Sequence, residues 1–184
     1  MNQSESGASK LEGRGKDRFG SYKVAVLVPC YNEELAIAKV VEDFRTVLPK
    51  ATIVVYDNNS TDETAQVARA AGAQVFQEIR QGKGFVVRRM FSDVEADIYV
   101  LVDGDATYDA PSVRRMIKQL LEKRLDMVVA NRVEREQASY RVGHRTGNKL
   151  LTGSVGLIFG SNLKDMLSGY RVFSRRFVKS FPVL

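Results

Sequence analysis

Short apolar runs alternate with stretches of helical spacing from residue 24 to residue 130, and that rhythm restricts the chain to few architectures. The runs are Val24-Ala25-Val26-Leu27-Val28, Thr52-Ile53-Val54-Val55-Tyr56, Gln74-Val75-Phe76, Ile98-Tyr99-Val100-Leu101-Val102 and Met127-Val128-Val129-Ala130. Most are continuous and rich in β-branched residues, which suits strands buried on both faces. Pro29 is expected to break the first. Between the runs, Glu33 to Leu48 carries Leu35, Ile37, Val40, Val41, Phe44, Val47 and Leu48 at helical spacing, and Pro49 closes it. Helices are also predicted from Thr61 to Ala71, where Gly72 stops the pattern, from Lys83 to Val94, and from Pro111 to Lys123 with Pro at the start. Regular alternation of this kind predicts βαβ units: an α/β domain with a mostly parallel sheet and helices on both faces.

The rhythm fails at both ends. Residues 1–21, rich in Gly, Ser and charge, are expected to form a flexible tail. From Glu134 to Leu167 the chain is basic first, around Arg135, Arg141, His144, Arg145 and Lys149, and then apolar with small residues over Leu150–Phe159. That stretch fits a segment lying along a membrane surface, or a core helix with a solvated basic flank. The abrupt stop at Phe181-Pro182-Val183-Leu184 is expected to mark a fragment.

Composition narrows the function. At 184 residues the chain is one domain, and its formal net charge of +6 favours an anionic partner. Cys30 is the only cysteine, so no internal disulfide and no thiolate metal cluster can form. His144 is the only histidine, which excludes a multi-histidine zinc site. No apolar stretch is long enough to span a bilayer, and Met1–Tyr22 lacks the apolar middle of a secretory signal. A cytoplasmic chain, peripheral at the cytosolic face of a membrane, is expected.

Chemistry concentrates at the predicted strand ends. Asp103-Gly104-Asp105 follows the fourth apolar run directly. Two carboxylates there cannot enter the core as bare charges. They face water or a cation, and two hard oxygen donors at a strand end suit Mg²⁺ or Mn²⁺ holding a diphosphate, although a solvated acidic turn has the same sequence. In a parallel sheet this edge also receives Pro29-Cys30-Tyr31-Asn32-Glu33-Glu34, Asp57-Asn58-Asn59-Ser60-Thr61-Asp62 and Asn131-Arg132. Four polar strand ends in one short domain are better explained by a polar ligand than by chance. Some of these residues have local uses: Ser60 or Thr61 can cap the second helix, Asp62 and Glu63 suit its N-terminal dipole, Glu33 and Glu34 suit that of the first, and Asn59 tolerates a left-handed turn. Asp57 belongs to the strand end and can accept from a base N–H or a ribose hydroxyl. Gln81-Gly82-Lys83-Gly84, with Arg80 before it and Arg88-Arg89 after, places glycines and Lys83 where a phosphate could approach, although the spacing is not that of a nucleoside-triphosphatase loop. In Ser168-Gly169-Tyr170-Arg171-Val172-Phe173-Ser174-Arg175-Arg176, Arg171 offers a planar fork for phosphate, Arg175 and Arg176 share that task or are solvated, and Asp165 lies just before as a possible base.

Taken in order, Val28-Pro29-Cys30-Tyr31-Asn32-Glu33-Glu34, Asp57-Asn58-Asn59-Ser60-Thr61-Asp62, Gly82-Lys83-Gly84, Asp103-Gly104-Asp105 and Ser168-Gly169-Tyr170-Arg171 resemble glycosyltransferase family 2, with its GT-A fold. Within that family the chain is most similar to the dolichyl- and polyprenyl-phosphate sugar synthases. The resemblance implies a nucleotide-sugar half over 22–132 and an incomplete acceptor half over 133–184. It implies that Pro29, Tyr31, Glu33 and Asp57 surround the nucleoside, that Asp103 and Asp105 bind the metal, and that Arg132 lies near the diphosphate or acceptor. It also implies that Arg145 and Arg171 hold the lipid phosphate. Two departures stand out. Asp57-Asn58 replaces the paired acids common in the family, and Asp103-Gly104-Asp105 replaces the commoner Asp-Ala-Asp, a change that reads as harmless.

The implied reaction is metal-dependent, inverting transfer from a GDP- or UDP-linked sugar. A hydroxyl acceptor needs a base, whereas a lipid monophosphate, with a second pKa of roughly 6, is largely ionised already. The surplus of Arg and Lys beyond residue 131 favours a polyprenyl or dolichyl phosphate over a carbohydrate hydroxyl in cell-envelope polysaccharide synthesis. A nucleotidyltransferase, releasing pyrophosphate instead, is the other enzymatic alternative. A nucleic-acid partner is disfavoured, because acidic strand ends repel phosphate backbones.

Overall fold

The computed structural model describes residues 21–130, 168–180 and 182. The predicted tail and most of the implied acceptor half lie outside that range. Within it, strands β1 (Val24–Cys30), β2 (Thr52–Asp57), β3 (Gln74–Gln77), β4 (Ile98–Leu101), β5 (Met127–Val129) and β6 (Arg171–Ser174) form one sheet in the order β3-β2-β1-β4-β6-β5. Strands β1 to β4 pair in parallel. Strand β6 runs antiparallel to both of its neighbours, so β5 points the same way as β4. The predicted α/β architecture is therefore present, with five strands sharing one direction and a sixth inserted against it.

The helices are α1 (Ile37–Val47), α2 (Thr64–Ala70), α3 (Lys83–Asp93), α4 (Ser112–Glu122) and α5 (Arg175–Ser180). Side-chain alternation along β1 divides the core in two. Val24, Val26, Val28 and Cys30 pack on one face with Ile37, Val40 and Phe44 of α1, Ala68 of α2 and Val113, Ile117 and Leu120 of α4. Ala25 and Leu27 pack on the other with Val86, Met90 and Phe91 of α3 and Val178 of α5. Phe44 is 2 % exposed and meets Tyr170 edge-to-face at 6.0 Å. Phe44→Ala is therefore expected to cost about 3–5 kcal/mol, read as a lower urea midpoint with an unchanged slope.

Several boundaries differ from the sequence expectations for local reasons. Strand β1 runs through Pro29 to Cys30. Leu27 directs its carbonyl toward the β4 side, accepting from Val102 N–H at 3.1 Å, and the β1–β4 register ends at Leu27. Pro29 has the same orientation and lies past that ladder, so its missing N–H breaks no pair. Helix α1 begins only at Ile37, which leaves Leu35 at 96 % exposure rather than on the apolar face. Glu33 and Glu34 precede the first turn and are not its dipole partners. Helix α2 begins at Thr64, so Ser60 and Thr61 are not its caps. Pro111 occupies the N-cap position of α4 rather than its first turn. Strand β6 was not anticipated, because Arg171-Val172-Phe173-Ser174 is four residues long and has one charged end.

Candidate active site

The C-terminal ends of β1, β2, β4 and β5 share an edge, and β6, running against them, begins there: Arg171 pairs with Leu101 and Val129. The antiparallel insertion thus delivers Ser168-Gly169-Tyr170-Arg171 to the edge that carries Asp103. Its other end lies at the opposite side of the sheet. Ser174 pairs with Ile98, and Arg175 and Arg176 bind Glu95 and Asp126 at 2.9 and 2.8 Å. Those two arginines therefore do not share a site with Arg171. Asp126 also accepts from Ser174 Oγ at 2.7 Å, and the Arg176 and Ser174 bonds hold its carboxyl below the usual range.

The first two edge loops are stitched to each other. Asn32 N–H donates to Ser60 Oγ at 2.9 Å, and Asn32 Oδ1 accepts from Thr61 N–H at 2.8 Å. Glu33 N–H donates to Thr64 Oγ1 at 2.7 Å, and Glu34 accepts from Glu63 N–H at 3.0 Å. Asp62 accepts from Thr64 N–H at 3.0 Å. Asn32 and Asn59 adopt φ of 56° and 64°, so the expected left-handed turn at Asn59 is present. These bonds, made in part by backbone N–H groups such as that of Glu33, hold the two loops of the edge together. Tyr31 remains 52 % exposed, while Pro29 is buried within β1.

Asp57 behaves differently. It is 6 % exposed, its Oδ2 accepts from Ser60 N–H at 3.3 Å, and its buried Oδ1 has no partner among the described residues. A buried carboxylate oxygen without a donor is costly unless a ligand supplies one. Asn58, at 4 % exposure, spends its whole amide on the next loop. Its Nδ2 donates to the carbonyls of Glu78 and Arg80 at 2.8 and 2.9 Å, and its Oδ1 accepts from Gly82 N–H at 2.7 Å. An aspartate there would set a carboxylate against two carbonyls. The departure from paired acids at position 58 is thus a structural clamp on residues 78–82, which the sequence did not reveal. Gly82, at φ 131°, then turns the chain into α3.

Lys83, the first residue of α3, forms an ion pair with Asp103 Oδ1. The lysine expected near a phosphate and the expected metal ligand therefore touch. Arg80 instead bonds Glu78 and lies 5.0 Å over the Phe85 ring, while Arg89 is bound to Asp93 at 2.5 Å. Asp103 is also confined from the β6 side. A Cβ built on Gly169 would lie 2.0 Å from Asp103 Oδ2 and 2.6 Å from its Cγ. Tyr108 Oη accepts from Gly169 N–H at 2.9 Å, and buried Tyr170 packs tilted against Tyr108 at 5.4 Å and edge-to-face against Phe44. Burial pushes the Tyr170 phenol up to about 12, so it stays protonated as a core anchor. Tyr108 is a site residue that sequence reasoning missed. Arg171 Nε donates to Ser168 O at 2.9 Å, which fixes its root at this edge.

Asp105 is exposed, and its Oδ1 accepts from Thr107 N–H at 3.1 Å and Thr107 Oγ1 at 2.7 Å. Ala106 between them sits at φ 57°, a strained conformation for a non-glycine residue and one that clusters at functional sites. Gly104 is not an indifferent change. A Cβ there would lie 2.7 Å from the sulfur of buried Cys30 and 3.4 Å from Glu33 Cγ. Burial, then Asp105, Asp103 and Asp62, push the Glu33 carboxyl above its usual range. Burial and the same acidic surroundings push the Cys30 thiol up, leaving it unreactive.

Among the described residues no group of three or more acidic, cysteine or histidine side chains converges as a ready-made metal cage. Mg²⁺ and Mn²⁺ do not need such a cage, since one or two carboxylates with substrate phosphate and water complete their shell. Asp103, with Gly169 against it, and Asp105, oriented by Thr107, are the carboxylates that could serve such an ion. Arg132, Arg145 and Asp165 lie outside the described residues. No helix among the described residues is long and apolar enough to cross a membrane.

The chain is similar to several known proteins. It is 59 % identical over 128 residues to protein RfbJ of Shigella flexneri, covering 69 % of this chain and 99 % of that one. It is 37 % identical to glycosyltransferase AglJ of Haloferax volcanii, covering 83 % of this chain and 50 % of AglJ. A dolichyl-phosphate hexose transferase of Haloferax volcanii is 27 % identical over 83 % of this chain and 66 % of its own. Among solved structures, glucosyl-3-phosphoglycerate synthase from Mycobacterium tuberculosis in complex with Mn²⁺ and UDP-glucose superposes with a TM-score of 0.71. It is 26 % identical, covering 89 % of this chain and 60 % of that one. The chain thus spans nearly all of one relative and about half to two thirds of the others. The family model for glycosyl transferase family 2 matches residues 25–181, almost the whole described sheet and its edge, and this chain belongs to that family.

Proposed function

We propose that this chain transfers a sugar from a nucleoside diphosphate sugar to an anionic acceptor, a polyprenyl or dolichyl phosphate, at a membrane surface. The reading rests on one juxtaposition: Asp103 lies between Lys83 and Gly169, so a donor diphosphate at Lys83 and an acceptor on the β6 side would meet at a single carboxylate. Asp57 Oδ1 would take a hydrogen bond from the base or ribose, with Tyr31 and Glu33 alongside. Asp103 and Asp105 would hold Mg²⁺ or Mn²⁺, which, when bound, supplies charge neutralisation for the departing diphosphate. Lys83 would add a second positive charge to that diphosphate. Arg171, one residue from the Tyr170 anchor, would bind the acceptor phosphate as a bidentate partner, and Arg132 and Arg145 would join it.

With such an acceptor the nucleophile is already an anion, so cations orient it and no side chain need remove a proton. The similarity to a dolichyl-phosphate hexose transferase supports this acceptor. A second reading is favoured by a specific likeness. The M. tuberculosis synthase was also solved with phosphoglyceric acid, a small acid carrying both phosphate and hydroxyl. In that case a base would be required, and Asp165 is the candidate.

The two readings separate in one assay. Full-length protein is supplied with UDP-glucose or GDP-mannose, Mn²⁺, and either polyprenyl phosphate, the corresponding polyprenol, or phosphoglyceric acid. Nucleoside diphosphate release with polyprenyl phosphate, absent with polyprenol and absent without Mn²⁺, is the expected outcome. Release only with phosphoglyceric acid would transfer the assignment to a hydroxyl acceptor. Release of pyrophosphate would overturn sugar transfer itself.

A further inference from the structure

We infer that Lys83 is a resident counterion of Asp103, and that binding of the divalent cation exchanges this ion pair for a lysine–diphosphate pair. The inference rests on the donor-site reading above and adds an order of events to it.

Four observations carry it. Lys83 Nζ is ion-paired to Asp103 Oδ1, so the lysine and an incoming cation compete for one carboxylate. Asp103 has little freedom to serve both, because Gly169 lies against its other oxygen with no room even for a methyl group. The backbone that leads to Lys83 is held by three Asn58 hydrogen bonds and by Asn59 Nδ2 to Ile79 O at 2.9 Å, while Asn59 Nδ2 also donates to the Gln81 side chain at 3.0 Å. The loop thus stays in place while the lysine side chain, half exposed, remains able to swing. The surrounding acids raise the need for a resident cation: Glu33, Asp62 and Asp105 all bear on this edge.

Electrostatics sets the sequence. With no cation present, an uncompensated Asp103 among these acids would be unfavourable, and Lys83 relieves it. A divalent ion arriving alone must displace that ammonium and therefore binds weakly. A divalent ion arriving with a nucleoside diphosphate gives the displaced ammonium a new partner, the diphosphate oxygens. Metal and nucleotide consequently bind with positive coupling, and that coupling passes through Lys83. The device favours loading of the metal together with the donor.

The test measures Mn²⁺ binding directly by electron paramagnetic resonance, with and without UDP, in the wild-type chain, Lys83→Gln and Lys83→Arg. The side chain is half exposed, so both variants are compatible with the fold. Lys83→Gln is expected to bind Mn²⁺ alone about three- to tenfold more tightly, because a partly screened ion pair no longer competes. The same variant is expected to bind UDP at saturating Mn²⁺ roughly tenfold more weakly, since the diphosphate loses a charged partner. Lys83→Arg is expected to stay near wild type in Mn²⁺ affinity. Unchanged or weaker Mn²⁺ binding by Lys83→Gln, in a wild-type chain that binds Mn²⁺ with UDP, would overturn the exchange and leave the donor site standing. A wild-type chain that binds no Mn²⁺ even with UDP would overturn both.

Discussion

Asp105→Ala will abolish Mn²⁺-dependent sugar transfer while leaving the fold intact. The side chain is exposed and supports no core contact, so its removal costs little stability. What it would remove, on the proposed reading, is one of the two carboxylates that hold the divalent ion. Metal stabilisation of a developing diphosphate contributes several kcal/mol, so transfer should fall by about three orders of magnitude or more. Asp105→Asn is the sharper experiment. An asparagine keeps an Oδ1 that can accept from Thr107 N–H and Oγ1, and so preserves the turn around strained Ala106 while deleting the charge. If charge is what matters, the asparagine variant is as inactive as the alanine variant, and both lose Mn²⁺ binding in the presence of UDP. An asparagine variant with wild-type turnover would rule out a metal role for Asp105.

Gly169→Ala is expected to separate function from stability in the same way, from the opposite strand. A methyl group there meets the carboxylate of Asp103 at distances no real Cβ tolerates. The backbone on that side cannot retreat freely, because Tyr108 holds Gly169 N–H and Tyr170 is buried between Tyr108 and Phe44. The Asp103 side chain is the softer partner and must rotate away. Overpacking of this kind costs about 1–3 kcal/mol of stability. If Asp103 holds the metal as proposed, its displacement costs far more in rate: misplacement by about an ångström is worth roughly a hundredfold. The expected result is a folded variant with a modestly lower urea midpoint, a hundredfold lower kcat/KM, and weakened Mn²⁺ binding. A fully active Gly169→Ala would show that Asp103 does not occupy this position during the reaction.

The α/β alternation was legible because each strand is a continuous apolar run and each helix has its own spacing. Both signals arise from burial, and burial is written residue by residue in a sheet covered on both faces. That Asp103, Asp105 and Asp57 stand at the C-terminal ends of buried strands was legible, because a charged residue directly after an apolar run marks where burial stops. The boundaries of α1 and α2 were less legible. Asn32 with Ser60, Glu33 with Thr64 and Glu34 with Asp62 bond across two loops twenty-eight or more residues apart, and no local window reports such a bond. Pro29 was misjudged for a related reason: whether a proline breaks a strand depends on whether a neighbour pairs at that point, and the register with β4 had already ended.

From its residues alone the chain determined a layered α/β domain, with a sheet edge crowded by carboxylates and amides. Hydrophobic periodicity and the cost of burying charge act locally enough to be read along one dimension. Only the tertiary structure decided which polar residues bind one another and which, like Asp57 Oδ1, have no partner among the described residues. It placed β6 against the sheet direction, separating Arg171 from Arg175 and Arg176 by the length of a strand. It set Gly104 against Cys30 and Gly169 against Asp103, and it turned Asn58 into a clamp for the loop that carries Lys83. These outcomes depend on contacts between segments distant in sequence, where a single missing methyl group decides what fits.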